Sequence, residues 1–243
     1  MIMQITRVKC PEKKYPIKCP YSMTPQYITV HNTANDASAM SEVSYMLGNN
    51  NKCSFHAAVD NTRVVEGLPL NRTAFHAGDG SGTGNRKTIG VEICYSKSGG
   101  DRFIEAEKLG AEYVAYLLKQ YGWGIDRVKK HQDWSKKYCP HRTLDMGWQR
   151  FLNMVKSYLN GATPINNNVN NDGSDVEMKT YQNGSTSEIV YADTDCKTKI
   201  GSLDPREKCD CFGIFNNRAM VRYRVGNTNN YKIGFCKWTG GVK

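Results

Sequence analysis

No stretch of this chain approaches the ~20 consecutive apolar residues that a membrane-crossing helix requires, so no membrane span is expected. The start, Met1-Ile2-Met3-Gln4-Ile5-Thr6-Arg7-Val8-Lys9-Cys10, lacks the apolar core of a signal peptide. Synthesis in the cytosol without an export signal is therefore the expectation. The four glycines at 78, 80, 82 and 84 lack the Gly-Lys-Ser/Thr ending of a phosphate-binding loop, which excludes that reading. There is no arginine-rich helix, RNP-type aromatic pair or finger spacing, so no nucleic-acid partner is expected. The usual C-x-x-C knuckle is missing too, since Cys209-Asp210-Cys211 has one residue between its sulfurs. Nine cysteines are an odd number for a disulfide scaffold, and free thiols are expected. Cys10 and Cys19 are the pair open to joining in an oxidising medium.

What is abundant is positive charge. The formal net charge is +10, with +8 on residues 1–159, −2 on 160–176 and +4 on 177–243. A basic surface favours a polyanionic partner, without saying which. At 243 residues the chain has room for one large domain or two modest ones.

Residues 1–26 hold four prolines and several lysines and read as a loop-rich lead-in. Tyr27–His31 reads as a short buried strand. A helix follows from Ala37 to about Leu47, capped by Asn35 or Asp36, with Met40, Val43 and Leu47 on one face. Phe55–Val59 and Arg63–Glu66 form a hairpin around Asp60-Asn61-Thr62. Asn71–Lys87 reads as a flexible surface loop of the kind that borders sites. Thr88–Tyr95 is the central strand, with Glu92 set among Ile89, Val91 and Ile93. Leu109, Tyr113, Leu117 and Tyr121 recur every fourth residue and predict a helix from Glu105. Trp148, Phe151, Leu152, Val155 and Leu159 predict a last helix, ended by Gly161. Such mixing gives an α/β domain over residues 1–160: a central mixed sheet covered by helices. Residues 161–176 are Asn-rich, have almost nothing to bury and read as a linker. From about 178 onward, short β-type runs separated by turn residues, such as Asn216-Asn217 and Gly226–Asn230, suggest a small all-β barrel over 177–243. Met178 could also serve as an internal translation start.

The chemistry-bearing stretch is Lys129-Lys130-His131-Gln132-Asp133-Trp134-Ser135-Lys136-Lys137-Tyr138-Cys139-Pro140-His141-Arg142. It is too polar, and too abruptly ended by Pro140, for a continuous helix. A loop of that length can fold back so that His131 and Cys139 face one point. Imidazole and thiolate are ligands that zinc prefers, and a catalytic site needs a third protein ligand with one position open. His31, at the end of an apolar strand, is the best candidate for that third ligand. A surface histidine and an inert buried thiol remain the alternative reading of the same residues.

Five motifs in order, Val30-His31-Asn32-Thr33, Ser54-Phe55-His56, Phe75-His76-Ala77-Gly78, Ile89-Gly90-Val91-Glu92 and Tyr138-Cys139-Pro140-His141-Arg142, resemble the zinc-dependent N-acetylmuramoyl-L-alanine amidases of phage endolysins and bacterial autolysins. That resemblance covers roughly residues 22–159 and implies a peptidoglycan-recognition-like fold. It implies Zn2+ on His31, His131 and Cys139, Glu92 as general base, and Lys137 as the group that faces the oxyanion. Some relatives carry Tyr where Phe55 stands, so hydroxyl help from that position is absent here. Phe55, His56, His76 and His141 are candidates for the substrate groove, and His141 also for orienting a ligand; a hydrogen-bonded structural role competes for the histidines. More weakly, Tyr191-Ala192-Asp193, Ile200-Gly201-Ser202-Leu203 and Val221-Arg222-Tyr223 resemble a bacterial SH3-like wall-binding domain. The implied partners are peptidoglycan and its anionic wall polymers, which the basic charge suits. The implied itinerary is that of a lysin made in the host cytosol that reaches the wall through a separate pore. The rivals are a non-catalytic peptidoglycan-recognition protein, expected to lack a ligand such as Cys139, and a zinc endopeptidase acting on the stem peptide.

Overall fold

A computed structural model describes residues 3–161, 179–191, 196, 199–215, 218–225 and 231–237. Residues 162–176 of the expected linker, Met178, and the expected turns at Asn216-Asn217 and Gly226–Asn230 lie outside them. The chain divides into two compact units, Met1–Gly173 and Ser174–Lys243.

In the first unit, β1 (Ile5–Arg7), β2 (Tyr27–Asn32), β3 (Ala57–Val59), β4 (Val64–Glu66), β5 (Thr88–Ile93) and β6 (Val128–Lys130) form one sheet in the order β1-β4-β3-β5-β2-β6. Only the β3–β4 hairpin is antiparallel, so the sheet is mixed, as expected. Its turn is held by Asp60, whose Oδ1 accepts the N–H groups of Thr62 and Arg63 at 2.8 and 3.0 Å. β2 and β5 are interior parallel strands and are largely buried. Glu92 is the one acidic residue on either of them.

The helices are α1 (Tyr15–Lys18), α2 (Ala39–Gly48), α3 (Thr83–Lys87), α4 (Gly100–Tyr121), α5 (His141–Asp145) and α6 (Trp148–Leu159). The apolar stripe of α4, including Phe103, Ala106, Tyr113, Val114 and Leu117, is fully sealed. Gly110 lets it press onto β5, since a Cβ there would stand 3.1 Å from Ile93. α4 begins at Gly100, five residues before the expected start, and ends at Gly122 in the left-handed conformation (φ 66°). α6 has the expected bounds and buries Phe151 and Val155.

Three expectations need correction. The lead-in is not merely loop: β1 pairs with β4 at the edge of the sheet. Within it Lys18 is fully buried, donating to Asn49 Oδ1 at 2.9 Å and to the carbonyl oxygens of Asn51 and Cys53. α2 starts at Ala39, because Ser38 accepts the Ser41 N–H at 3.2 Å and takes the capping role expected of Asn35 or Asp36. The glycine-rich loop is tightly bonded rather than free. Asn85 Oδ1 accepts the N–H groups of both His76 and Ala77 at 2.8 Å, and Asp79 accepts those of Gly84 and Asn85.

The second unit is an antiparallel sheet of β7 (Lys179–Gln182), β8 (Glu188–Tyr191), β9 (Lys199–Leu203), β10 (Lys208–Phe215), β11 (Arg218–Arg224) and β12 (Tyr231–Lys237), in the order β7-β10-β11-β12-β8-β9. Tyr181, Val190, Leu203, Cys211, Val221 and Cys236 form its core.

Candidate metal centre

Period-two alternation puts Tyr27, Thr29 and His31 on one face of β2, and the parallel register sets His31 beside Glu92 of β5. His131 follows β6 directly and opens a 3-10 turn, His131–Asp133. The loop beyond it folds back as the sequence suggested: the Gln132 N–H donates to the Cys139 carbonyl at 3.0 Å. One ligand atom from each of His31, His131 and Cys139 lies within 4.8 Å of the others, and all three residues are buried. His31 Nδ1 is 3.0 Å from His131 Nδ1 and 3.9 Å from Cys139 Sγ.

Donor bookkeeping fixes the protons. The Trp134 indole N–H can only donate, and it does so to Thr29 Oγ1 at 2.8 Å. Thr29 in turn donates to Thr88 Oγ1 at 2.8 Å, and Thr88 donates to the Gly84 carbonyl at 2.6 Å. His76 Nε2, 3.4 Å from Thr88 Oγ1, must therefore be the donor of that pair, leaving its Nδ1 as an acceptor. His31 Nε2, 3.0 Å from His76 Nδ1, then carries its ring proton, and His31 Nδ1 is left with a lone pair. His131 Nδ1 faces that lone pair at 3.0 Å. Two imidazole nitrogens thus confront each other at 3.0 Å, with the Cys139 thiol 3.9 Å from one of them. Such an N, N, S donor set suits zinc.

Burial, followed by the neighbouring His76 and His131, pushes the His31 pKa well down; burial and then Lys137 lower that of His131. Burial and then Glu92 raise the Cys139 thiol to about 11. Such a thiol keeps its proton at neutral pH unless a cation displaces it. Glu92 is raised to about 8, chiefly by burial and next by the carboxylate of Glu42, with Lys137 opposing. Its Oε2 is sealed from water and has no hydrogen-bond partner. Glu42, on α2, is raised to about 7 by burial and also has a sealed, unpartnered oxygen, Oε1. Lys137 is exposed, yet its charge acts on His31, His131, Glu92 and Cys139 alike.

The remaining expected groove residues all lie in the first unit. His56 is fully buried; its Nε2 donates to the Arg72 carbonyl at 2.8 Å and its Nδ1 accepts the Gly90 N–H at 2.9 Å, leaving nothing for substrate. His76 is buried behind His31 and packs on Gly90, where a Cβ would stand 2.8 Å from its ring. Phe55 is buried. His141 is half-buried, 3.3 Å from the Ser96 carbonyl and outside the cluster. Sequence reading missed Glu42 and the Trp134–Thr29–Thr88 chain. Nothing local marks either, since both depend on contacts across the sheet.

The sequence pattern described as N-acetylmuramoyl-L-alanine amidase matches residues 21–142, half of the chain, and the chain belongs to that family. It is 61% identical over 153 residues to the N-acetylmuramoyl-L-alanine amidase XlyB of Bacillus subtilis, a match covering 62% of this chain and 48% of that protein. It is 50% identical over 194 residues to CwlA of the same organism, covering 79% of this chain and 70% of that one. The chain thus spans about half of XlyB and somewhat over two thirds of CwlA. Among solved structures, PlyL superposes with a TM-score of 0.62 at 52% identity, over 65% of this chain and 99% of PlyL.

Proposed function

We propose that this chain is a peptidoglycan hydrolase that cuts the amide between N-acetylmuramic acid and L-alanine, with zinc held by His31, His131 and Cys139. The observation that carries the reading is the pair of facing Nδ1 atoms beside a buried thiol, three donor atoms within 4.8 Å of one another. Zinc in such a site contributes Lewis acidity toward the scissile carbonyl and makes a water molecule more acidic.

Glu92 is the base in this reading. A half-buried carboxyl group with a raised pKa, set beside His31 in the sheet, is suited to accept a proton from water and return it to the leaving nitrogen. Lys137 places positive charge near the developing oxyanion, an effect often worth about 3 kcal/mol. Phe55 brings no hydroxyl to that task.

Residues 177–243, within the second unit, serve in this proposal as an SH3-like wall-binding domain, joined to the catalytic domain 1–160 through the Asn-rich segment 161–176. The all-antiparallel sheet around one apolar core supports that assignment. Tethering raises the effective substrate concentration without altering the site, and the basic surface suits anionic wall polymers. Among the described residues no helix is long and apolar enough to cross a membrane. The proposed itinerary is that of a lysin made in the host cytosol and released to the wall through a separate pore.

Mass spectrometry of digested wall, paired with elemental analysis of the purified chain, tests the reading. Stem peptides with free L-alanine N-termini, glycan with free muramic acid carboxylates, and one zinc per chain are expected. Cuts between later stem residues would make it an endopeptidase, and wall binding without soluble products would make it a recognition protein.

A further inference from the structure

A second concavity lies at the β6 edge of the sheet, away from the His31–His131–Cys139 cluster. It is a cleft of about 700 Å³ between β6 with its 3-10 turn on one side and α6 on the other. Three aromatic residues, Tyr27, Trp134 and Trp148, line it together with Lys129, Lys130 and Lys156.

The aromatic residues are held in place. Trp134 is fixed by its bond to Thr29 at 2.8 Å and meets Tyr27 edge-on, ring centroids 5.7 Å apart. Trp148 stacks on the buried Phe151 at 5.4 Å. The two acidic residues of the lining are engaged: Asp133 pairs with Lys130, and Asp126 lies 3.2 Å from the Arg127 guanidinium. Lys129, whose ammonium sits 5.5 Å from the Tyr27 ring, and the exposed Lys156 give the cleft its net positive character. Rigid aromatic faces suit the C–H faces of a pyranose, and ammonium groups at the same rim suit an anion on that sugar.

Position adds to composition. Lys130 directly precedes His131, Trp134 closes the same turn, and Tyr27 stands on the same face of β2 as His31, four residues away. At ~3.4 Å per residue that is roughly 14 Å, within the span of a few linked sugars. A glycan strand that reaches the metal centre can therefore reach the cleft too.

We propose that this cleft is a second saccharide subsite, selective for a pyranose that carries a carboxylate. This rests on the proposed function, because amide hydrolysis itself makes that ligand. Water adds across the C–N bond, leaving a lactyl carboxylate on muramic acid and a free amine on alanine. A strand already stripped of stem peptides is thereby richer in the group the lysines recognise, and the enzyme is retained on wall it has begun to digest.

Titration of the full chain with free N-acetylmuramic acid, followed by tryptophan emission and backbone amide shifts, tests the proposal, with N-acetylglucosamine and glycerol phosphate as comparison ligands. Saturable shifts at Ile125, Trp148 and Lys156 are expected, weaker by about fivefold or more for the uncharged sugar and for the Lys129→Ala/Lys156→Ala double variant. That variant, outside the metal centre, should keep its cleavage rate on short soluble muropeptides. Equal binding of both sugars, no effect of the double variant, or a preference for glycerol phosphate would each overturn the proposal. Binding needs no turnover, so loss of this subsite with amidase products intact leaves the proposed function standing. Binding of the acidic sugar without any amidase product would instead remove the proposed function.

Discussion

His76 Nδ1 lies 3.0 Å from His31 Nε2, and through that contact a residue outside the cluster decides which nitrogen of His31 faces His131 and Cys139. Replacing His76 with Phe should keep the ring volume but remove the acceptor. Metal affinity is then expected to fall by about 10- to 100-fold, measured by competition with a chromophoric chelator. Asn, whose side-chain oxygen can take the place of Nδ1, should restore part of the loss. Unchanged affinity in the Phe variant would remove His76 from any role in setting the tautomer.

A buried thiol raised to about 11 should lose its proton only when a cation arrives. Zinc uptake near pH 8 in weak buffer is expected to release about one proton per chain. Cys139→Ser should abolish both tight binding and nearly all hydrolysis. Full retention of either would place the sulfur outside the centre.

Glu92→Ala should leave fold and metal content intact while slowing turnover by about 100-fold or more. A base must be ionised to act, so activity should rise as pH climbs through the Glu92 pKa, which burial and Glu42 hold high. Glu42→Gln removes the neighbouring negative charge and should move the acidic limb of kcat/KM to lower pH. A bound cation nearby shifts the limb in the same direction, so the comparison is made between two metal-loaded proteins. No movement of the limb would mean that the two carboxyl groups do not interact.

His56 is held neutral in the fold, its pKa lowered by burial to about 4 from an ordinary value near 6.5. An unfolded chain binds that proton at higher pH than the folded one. The stability it contributes is therefore complete above about pH 6.5 and lost as pH falls through about 4. The difference amounts to about 3 kcal/mol. Denaturant unfolding from pH 7 to 4 should show a slope to which the lowered His31 and His131 pKa values add, and His56→Gln should reduce it.

Removal of residues 177–243 is expected to weaken binding to intact cells more than it weakens cleavage of soluble wall fragments. A pull-down on whole cells beside a dye-release assay on solubilised wall separates the two effects. Equal losses would count against a tethering role for the second unit.

The elements most legible in the sequence were those whose signal is local. The four-residue period of Leu109, Tyr113, Leu117 and Tyr121 marked α4, and the apolar runs around Val30 and Val91 marked the two interior strands. The meeting of His131 and Cys139 was legible because a polar loop bounded by Pro140 has few other ways to fold. What stayed hidden depends on distant partners. β1 is a strand because β4 lies beside it, and the buried Lys18 is tolerated because Asn49, Asn51 and Cys53 surround its ammonium. The glycine-rich segment resembled free loop because the amide of Asn85 that orders it carries no periodic signal. Its histidine likewise read as groove lining, when it stands behind His31.

His31 and His131 meet across 100 positions of chain, and Cys139 joins them from 108 positions away. A nascent chain that has not yet emerged past the cysteine therefore holds at most the two histidines and lacks the thiol of the trio. On the proposed function, the centre is completed only late in synthesis of the first domain, and a shorter fragment lacks a donor it needs.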